Sequence, residues 1–288
     1  NARLGGYTRN GYIEEGDRLF EEMRAEGLAP NHVTWNTLIS GCCAKQALLY
    51  FEKMQNEGIP PNHGTFVGIL QACRSMKEGL LRGMSVHIQI LENNLRVDLT
   101  IGSTLIDMYV RCGDLEHARQ VFNSLPKQQD VVIWNNMISG YVEYGFTEEA
   151  MINIERMQVE GLCLDAAMLV FILKSCGKEG AIEAGREIHT MIIKRGLERE
   201  VFVGNTLVDM YAKHSLLSEA LVVFDGIMER TVVSWNALIS GYVRLGESEH
   251  VFMLFEMMLK EGIKPSRASF LNVLTTCSHM GLVEMGYR

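Results

Sequence analysis

Few residues in this 288-residue sequence could do chemistry, and the pattern they make is one of recognition, not bond-making. Asparagine recurs at one slot. Asn36, Asn135 and Asn236 each follow a tryptophan in strings that repeat almost letter for letter: HVTWNTLISGC from His32, VVIWNNMISGY from Val131 and VVSWNALISGY from Val232. An amide carries a donor and an acceptor side by side, so a row of them at a fixed period can pair with a row of polar partners. The other chemistries lack their residues. There is no Gly-rich phosphate loop, no nucleophile string and no carboxylate pair in a distinguishing context, and the H-x-E and P-C-x-x-C strings of zinc deaminases are absent. Seven cysteines without CxxC spacing suggest neither a disulfide framework nor a zinc site, and a reducing compartment is the simpler setting. Cys73, Cys176 and Cys277 share one slot about 100 residues apart and read as small buried hydrophobes. His87 and His189 read as satisfied core histidines, so no metal site and no cofactor is expected.

The asparagines need elements to hold them, and the rest of the sequence supplies a repeating one. GILQAC from Gly68 returns as FILKSC from Phe171, and STLIDMY from Ser103 returns as NTLVDMY from Asn205, so three unlike units alternate in fixed order. Apolar positions such as Trp134, Met137, Ile138, Tyr141 and Val142 fall at helical spacing; a break at Gly145 follows, and Ala150, Met151, Ile154 and Met157 restart the period. Each unit is therefore a helical hairpin. Phe20 with Met23, Phe51 with Met54, Phe122 with Leu125, Phe224 with Ile227 and Phe255 with Met258 share an i, i+3 slot late in the second helix and mark the seam between hairpins. Trp35, Trp134 and Trp235 share the phase of the apolar stripe, which predicts core packing. Gly27, Gly58, Gly161, Gly196 and Gly262 follow the seam where a helix should end, often with Pro three residues on.

A single hairpin cannot bury its stripe alone, so neighbours must stack, and the expected fold is an all-α solenoid of about nine helix-turn-helix units. Aligned on the first-helix pattern, they span 1–31 (partial), 32–62, 63–98, 99–130, 131–165, 166–200, 201–231, 232–266 and 267–288 (partial) of one continuous solenoid. The unit 32–62 is irregular: from Gly41 to Phe51 it is four residues shorter than from Gly140 to Ile154. A loop missing from the sequence accounts for this better than a true deletion, since losing about a turn of helix should misalign the seam. The net charge of −8 argues against a non-specific nucleic-acid binder held by a basic field. No run of 18 apolar residues occurs, so no membrane span is expected. The sequence opens and stops inside repeats, so a targeting peptide or terminal domain is expected to lie outside it.

A hairpin of about 35 residues with WN-x-LISGY in its first helix, F-x-x-M in its second and G-x-x-P before the next resembles the pentatricopeptide repeat family over the whole sequence. The alternation of standard (131–165, 232–266), long (63–98, 166–200) and short (99–130, 201–231) units resembles its plant PLS subclass, which includes organellar RNA-editing specificity factors. The resemblance implies one RNA base per hairpin, read by the fifth residue of the first helix together with the last residue of the unit. Those pairs are Asn1 with Asn31, Asn36 with Asn62, Ser103 with Asp130, Asn135 with Asp165, Asn205 with Thr231 and Asn236 with Ser266. By the family's pattern they imply a site C-C-x-G-U-x-Y-C; the long units place Val67 with Asp98 and Val170 with Glu200, and valine cannot hydrogen-bond a base. Each good polar pairing is worth about 1–3 kcal/mol of base discrimination. Second-position Val33, Val132, Phe202 and Val233 are the implied stacking residues, each worth roughly 1–3 kcal/mol. The thirteenth positions carry Arg9, Arg111, Lys178, Lys213 and Arg244, a basic stripe for phosphates despite the acidic total.

The implied function is sequence-specific binding of single-stranded RNA, as the site-recognition factor for C-to-U editing of a mitochondrial or chloroplast transcript. The chain itself is expected not to be an enzyme; a deaminase-like domain outside it, or one acting in trans with editing cofactor proteins, is the implied further partner. A monomer away from membranes is expected. An RNA stability, splicing or translation factor is the alternative, and a protein-binding helical scaffold the second.

Overall fold

The structure, a computed structural model, describes residues 2–93, 95–126 and 130–280, without the side chains of residues 2 and 9. The periodic stripes form seventeen helices and no strand among the described residues, grouped into two compact units, Asn1–Tyr144 and Gly145–Arg288. The first unit holds α1 (Ala2–Arg9), α2 (Ile13–Ala25), α3 (His32–Gly41), α4 (Ala44–Asn56), α5 (His63–Cys73), α6 (Gly79–Glu92), α7 (Leu99–Arg111), α8 (Leu115–Ser124) and α9 (Val131–Glu143). Odd-numbered helices pack on one another in sequence, α1 on α3 through to α7 on α9. The even helices form a second layer, with α4, α6 and α8 also touching the odd helix that follows.

The second unit holds α10 (Thr147–Val159), α11 (Ala166–Glu179), α12 (Ile182–Lys194), α13 (Val201–Lys213), α14 (Leu217–Gly226), α15 (Val232–Leu245), α16 (Ser248–Lys260) and α17 (Arg267–Met280). Here α11, α13, α15 and α17 stack in one layer, and α12, α14 and α16 each bridge two of them.

Within each unit the seam is aromatic. Phe20 meets Trp35 edge-on at 5.1 Å, Phe122 meets Trp134 at 4.7 Å and Phe224 meets Trp235 at 4.8 Å, each pair joining one hairpin's second helix to the next hairpin's first. The three tryptophans are 0–1% exposed. Such pairs contribute about 0.5–1.5 kcal/mol each beyond the area they bury, so this contact sets hairpin spacing as well as stability. The same seam ends the second helices. The N–H groups of Leu28, Ile59, Leu162 and Ile263 return to the carbonyls of Met23, Met54, Met157 and Met258 at 3.0–3.1 Å. That closure needs a left-handed residue in between, and Gly27, Gly58, Gly161 and Gly262 supply it with φ from +74° to +79°.

The chain closes the short hairpin with a two-residue link. Cys42 and Cys43, both extended, link α3 directly to α4. The shortfall falls on α3, which has 10 residues against 13 in α9, and on the turn; α4 keeps 13, as many as α10. Phe51 and Met54 remain buried, and Phe51 faces Phe66 at 6.3 Å. The seam lies at the far end of α4, where the next hairpin sets its register, so trimming the turn leaves it in place.

Candidate nucleic-acid interface

The last residue of each hairpin is the N-cap of the next first helix. Asn31, Asn62, Asp98, Asp130, Asp165, Glu200 and Thr231 precede α3, α5, α7, α9, α11, α13 and α15. The first backbone N–H groups of a helix have no partner within it, and short polar side chains satisfy them. Asn31 accepts from Thr34 N at 3.1 Å, Asn62 from Thr65 N at 3.1 Å, Asp98 from Ile101 N at 2.9 Å and Asp165 from Met168 N at 2.7 Å. Ser266 takes the same place before α17, accepting from Ser269 N at 3.4 Å. The run of Asn, Asp, Ser and Thr at this slot thus has a folding role independent of any ligand. Sequence reasoning missed it, although the spacings N-x-x-T at Asn31 and Asn62, T-x-x-S at Thr231 and S-x-x-S at Ser266 carry a capping signature.

The fifth-position side chains stand one turn inside the first helices, half-buried, and they divide into two kinds. Asn36 is engaged at both ends: its Nδ2 donates to Asn62 Oδ1 at 3.1 Å, and Thr65 Oγ1 donates to its Oδ1 at 2.6 Å. Asn236 Nδ2 donates to Ser266 Oγ at 3.0 Å, but its Oδ1 is buried with no partner, as are Oδ1 of Asn135 and Oδ1 of Asn205. The structure therefore joins Asn36 to Asn62 and Asn236 to Ser266. It joins neither Ser103 to Asp130 nor Asn205 to Thr231 by a hydrogen bond among the described residues; Thr231 Oγ1 lies 3.3 Å from Ser234 Oγ instead. Asn1 and the Arg9 side chain lie outside the described residues. A buried carbonyl without a donor costs about 1–3 kcal/mol, which makes its recurrence at one slot of three hairpins informative. Trp35 and Trp235 Nε1 are also unpartnered, but inside the seam.

The second-position residues face solvent. Val33, Val132, Phe202 and Val233 are 54–58% exposed, a large apolar side chain repeated at one outward position, and Lys174 Nζ lies 5.3 Å from the Phe202 ring centroid. In the long units Val67 is half-buried and Val170 buried. Asp98 there is occupied twice, by the cap and by His63 Nε2 at 3.0 Å. Burial alone would raise the Asp98 carboxyl, but the Ile101 N–H and His63 outweigh it and hold it below the usual carboxylate range.

The basic stripe is partly neutralised. Arg111 lies 3.7 Å from both Asp107 and Glu143, and Lys213 pairs with Asp209 at 2.6 Å. Lys178 and Arg244 are exposed and have no carboxylate partner among the described residues. Asp107 and Asp209 belong to the IDMY and VDMY strings, one turn before the basic residue, so this pairing was readable as an i, i+4 contact.

The remaining reactive types are structural. Cys73, Cys176 and Cys277 are buried, and burial pushes the Cys73 and Cys176 thiols up to about 11. His87 Nδ1 lies 3.0 Å from Tyr109 Oη and His189 Nδ1 2.8 Å from Tyr211 Oη, two equivalent contacts between a long hairpin and the short one after it. Burial lowers the pKa of both histidines. Among the described residues no group of three His, Cys, Asp or Glu could hold a metal, and no helix is long and apolar enough to cross a membrane.

Comparison with known proteins agrees with this architecture. A family model described as PPR repeat family matches residues 1–44 and 230–279, one described as Pentatricopeptide repeat-containing protein matches 36–125, and one described as PPR repeat matches 132–162 and 205–232. Pentatricopeptide repeat-containing protein At2g33680 of Arabidopsis thaliana is 33% identical over 287 residues, covering 100% of this chain and 35% of that protein. Pentatricopeptide repeat-containing protein At3g02330, mitochondrial, from the same plant, is 32% identical over 309 residues, covering 99% and 34%. The chain spans about a third of the length of these relatives. Its structure is similar to that of the pentatricopeptide repeat protein PPR10 in complex with an 18-nt psaJ RNA element, at a TM-score of 0.73 and 20% identity over 96% of this chain and 42% of that one. The likeness to PPR10 from maize has a TM-score of 0.67 at 19% identity, over 99% and 47%. These likenesses show the fold, an all-α solenoid of helical hairpins. Repeat models along most of the sequence, relatives of one name over its whole length and the shared hairpin fold together make the chain a member of the pentatricopeptide repeat family.

Proposed function

We infer that the chain binds single-stranded RNA with one base per standard or short hairpin, read by the pairs Asn1/Asn31, Asn36/Asn62, Ser103/Asp130, Asn135/Asp165, Asn205/Thr231 and Asn236/Ser266, and that it serves as the site-recognition factor for C-to-U editing of an organellar transcript. The observation that carries the RNA reading is the recurrence, at one slot of the hairpin, of a buried, unpartnered Oδ1 atom on Asn135, Asn205 and Asn236, each three residues after an exposed apolar side chain at position 132, 202 or 233. A base edge brings the N–H donors those carbonyls lack, and its face brings the stacking partner for the apolar residue. Lys178 and Arg244 are the free cations for phosphates, with Arg111 and Lys213 available once their carboxylates are outcompeted.

N-capping explains Asn31, Asn62, Asp98, Asp165 and Ser266 whether or not RNA binds, so those residues do not separate this reading from a protein-binding scaffold. The fifth-position carbonyls do, because a scaffold leaves them unexplained. PPR10 has been seen in complex with RNA, and the shared hairpin fold supports the same ligand class here. Selection from a randomised RNA pool tests the reading: it should enrich C-C-x-G-U-x-Y-C, and enrichment of no pyrimidine-rich site with a central G refutes it. The editing role is tested by transcript sequencing after loss of the protein. One unconverted C beside such a site supports it, whereas altered abundance or splicing with editing intact assigns the chain to RNA stability or processing.

A further inference from the structure

The third residue of each hairpin falls into two classes that follow the cap before it. Where the cap is neutral, at Asn31, Asn62, Thr231 and Ser266, the third residue is a hydroxyl: Thr34, Thr65, Ser234 and Ser269, all 0–2% exposed. Where the cap is acidic, at Asp98, Asp130, Asp165 and Glu200, it is Ile101, Ile133, Met168 and Val203. The hydroxyl closes a reciprocal capping box, and Asn62 N donates to Thr65 Oγ1 at 3.2 Å.

At Thr65 the hydroxyl does more than cap. Its single proton faces Asn36 Oδ1 at 2.6 Å and Asn62 Oδ1 at 3.0 Å, the Asn36 contact being the shorter. Asn62 Oδ1 is fixed as an acceptor because the Thr65 backbone N–H points at it from 3.1 Å. The Asn36 amide can then sit only one way: turned over, its carbonyl would oppose Asn62 Oδ1 and its NH2 would replace an accepted hydroxyl proton. Gly64 leaves room for that orientation, since a Cβ there would stand 2.8 Å from Asn36 Nδ2.

We propose that Thr65, through its hydroxyl, is a specificity-determining positioning residue for the base facing the 32–62 hairpin: it locks the Asn36 amide so that only N–H is left to offer. This rests on the RNA reading above. At the centre of its pairing edge cytosine carries an acceptor, N3, where uracil carries N3–H. A donor-only amide therefore favours C and opposes U, while an amide free to turn over accepts either. Behind the acid caps Asp130 and Asp165 no third-residue hydroxyl competes for the carboxylate, which stays able to accept an imino N–H from U or G.

The test uses the whole chain and RNA oligomers that vary only the base facing this hairpin, compared by fluorescence anisotropy. The parent should prefer C over U, Thr65→Val should reduce that preference about tenfold, and Thr65→Ser, which keeps the hydroxyl, should retain it. Preference for U at the base facing the 131–165 hairpin serves as an internal control that the variants are folded and bind. If Thr65→Val keeps the parent's C-over-U ratio, the positioning role is refuted while base reading stands. If the parent discriminates no base at either position, the RNA code is refuted and the role of Thr65 falls with it.

Discussion

Replacing Asn236 by alanine separates a residue kept for folding from one kept for a ligand. In the free protein its Nδ2 donates to Ser266 Oγ at 3.0 Å, while Oδ1 is buried with no donor. Losing the first contact costs about 0.5–1.5 kcal/mol, and removing the second group returns about 1–3 kcal/mol of desolvation. Alanine in mid-helix adds roughly 0.6 kcal/mol over asparagine. The balance is a variant as stable as the parent or up to about 3 kcal/mol more stable, and each kcal/mol raises Tm by about 2–4 °C in a chain of this size. RNA binding moves the other way. Losing one polar base contact worth about 1–3 kcal/mol weakens binding by roughly 5- to 150-fold, and the loss should vanish on an RNA with an abasic nucleotide at that position. Calorimetric melts and anisotropy titrations on the same preparations give both numbers. A variant more than about 1 kcal/mol less stable, with unchanged affinity, would show that the amide serves the helix and would refute the argument from unpartnered carbonyls.

Further outcomes follow from the charges and the buried histidines. Log affinity for RNA should fall with log salt with a slope of roughly −1.5 to −3.5, and Arg244→Gln should flatten it by about 0.7, because Arg244 has no carboxylate to release first. A slope near zero would remove the phosphate stripe. Burial, reinforced by His117, lowers the His87 pKa from 6.5, and burial, opposed by Glu198, lowers that of His189. For a histidine depressed on folding, stability is fully present above the unfolded pKa and is lost as pH falls through about 6.5 toward the folded value. Urea melts should therefore lose stability between pH 7.5 and 5.5, and His189→Gln should reduce that loss; an unchanged pH slope in the variant would show that the ring is already charged in the fold.

The scaffold was legible because its determinants are local and periodic. Trp134 and its apolar partners announce a helix with one buried stripe, and the partner of Trp134 could be guessed, since a Phe with an apolar residue three positions on precedes each tryptophan late in the second helix before it. Which end of the short hairpin absorbs its four-residue difference was not legible in the spacing; α3 and the turn take it and leave Phe51 at the seam. At the site, the fifth-position asparagines stood out because their type contradicts the apolar face they sit on. The orientation of the Asn36 amide did not, because it depends on Thr65, which belongs to the following hairpin and looks like an ordinary helix-start residue. Pairing of Arg111 with Glu143 likewise joins two hairpins and has no local signature.

The cap position also bears on why so few residue types would serve in such a code. The residue beside the base must begin a helix, and the side chains that satisfy the first free N–H groups are Ser, Thr, Asn and Asp. These are also the short polar groups able to reach a neighbouring base edge without a long, entropically costly arm. Folding and recognition thus select one small set at one slot, and the variation left to recognition is whether the cap is charged and whether a hydroxyl follows three residues later. Glu200 marks the limit of the set: it makes no side-chain cap to α13, it stands beside Val170, and its hairpin is one of the two with no polar fifth residue among 32–266. Asp98 keeps the cap but spends its second oxygen on His63. A long hairpin that was to read a base would therefore need two changes, a polar residue in place of Val67 and release of Asp98. The double variant Val67→Asn with His63→Ala should gain preference for U at the facing base, by about tenfold in anisotropy titrations against U- and C-bearing RNA, whereas Val67→Asn alone should gain less. Equal gains in the single and double variants would show that the His63 contact leaves Asp98 free to read, and would return the silence of this hairpin to valine alone.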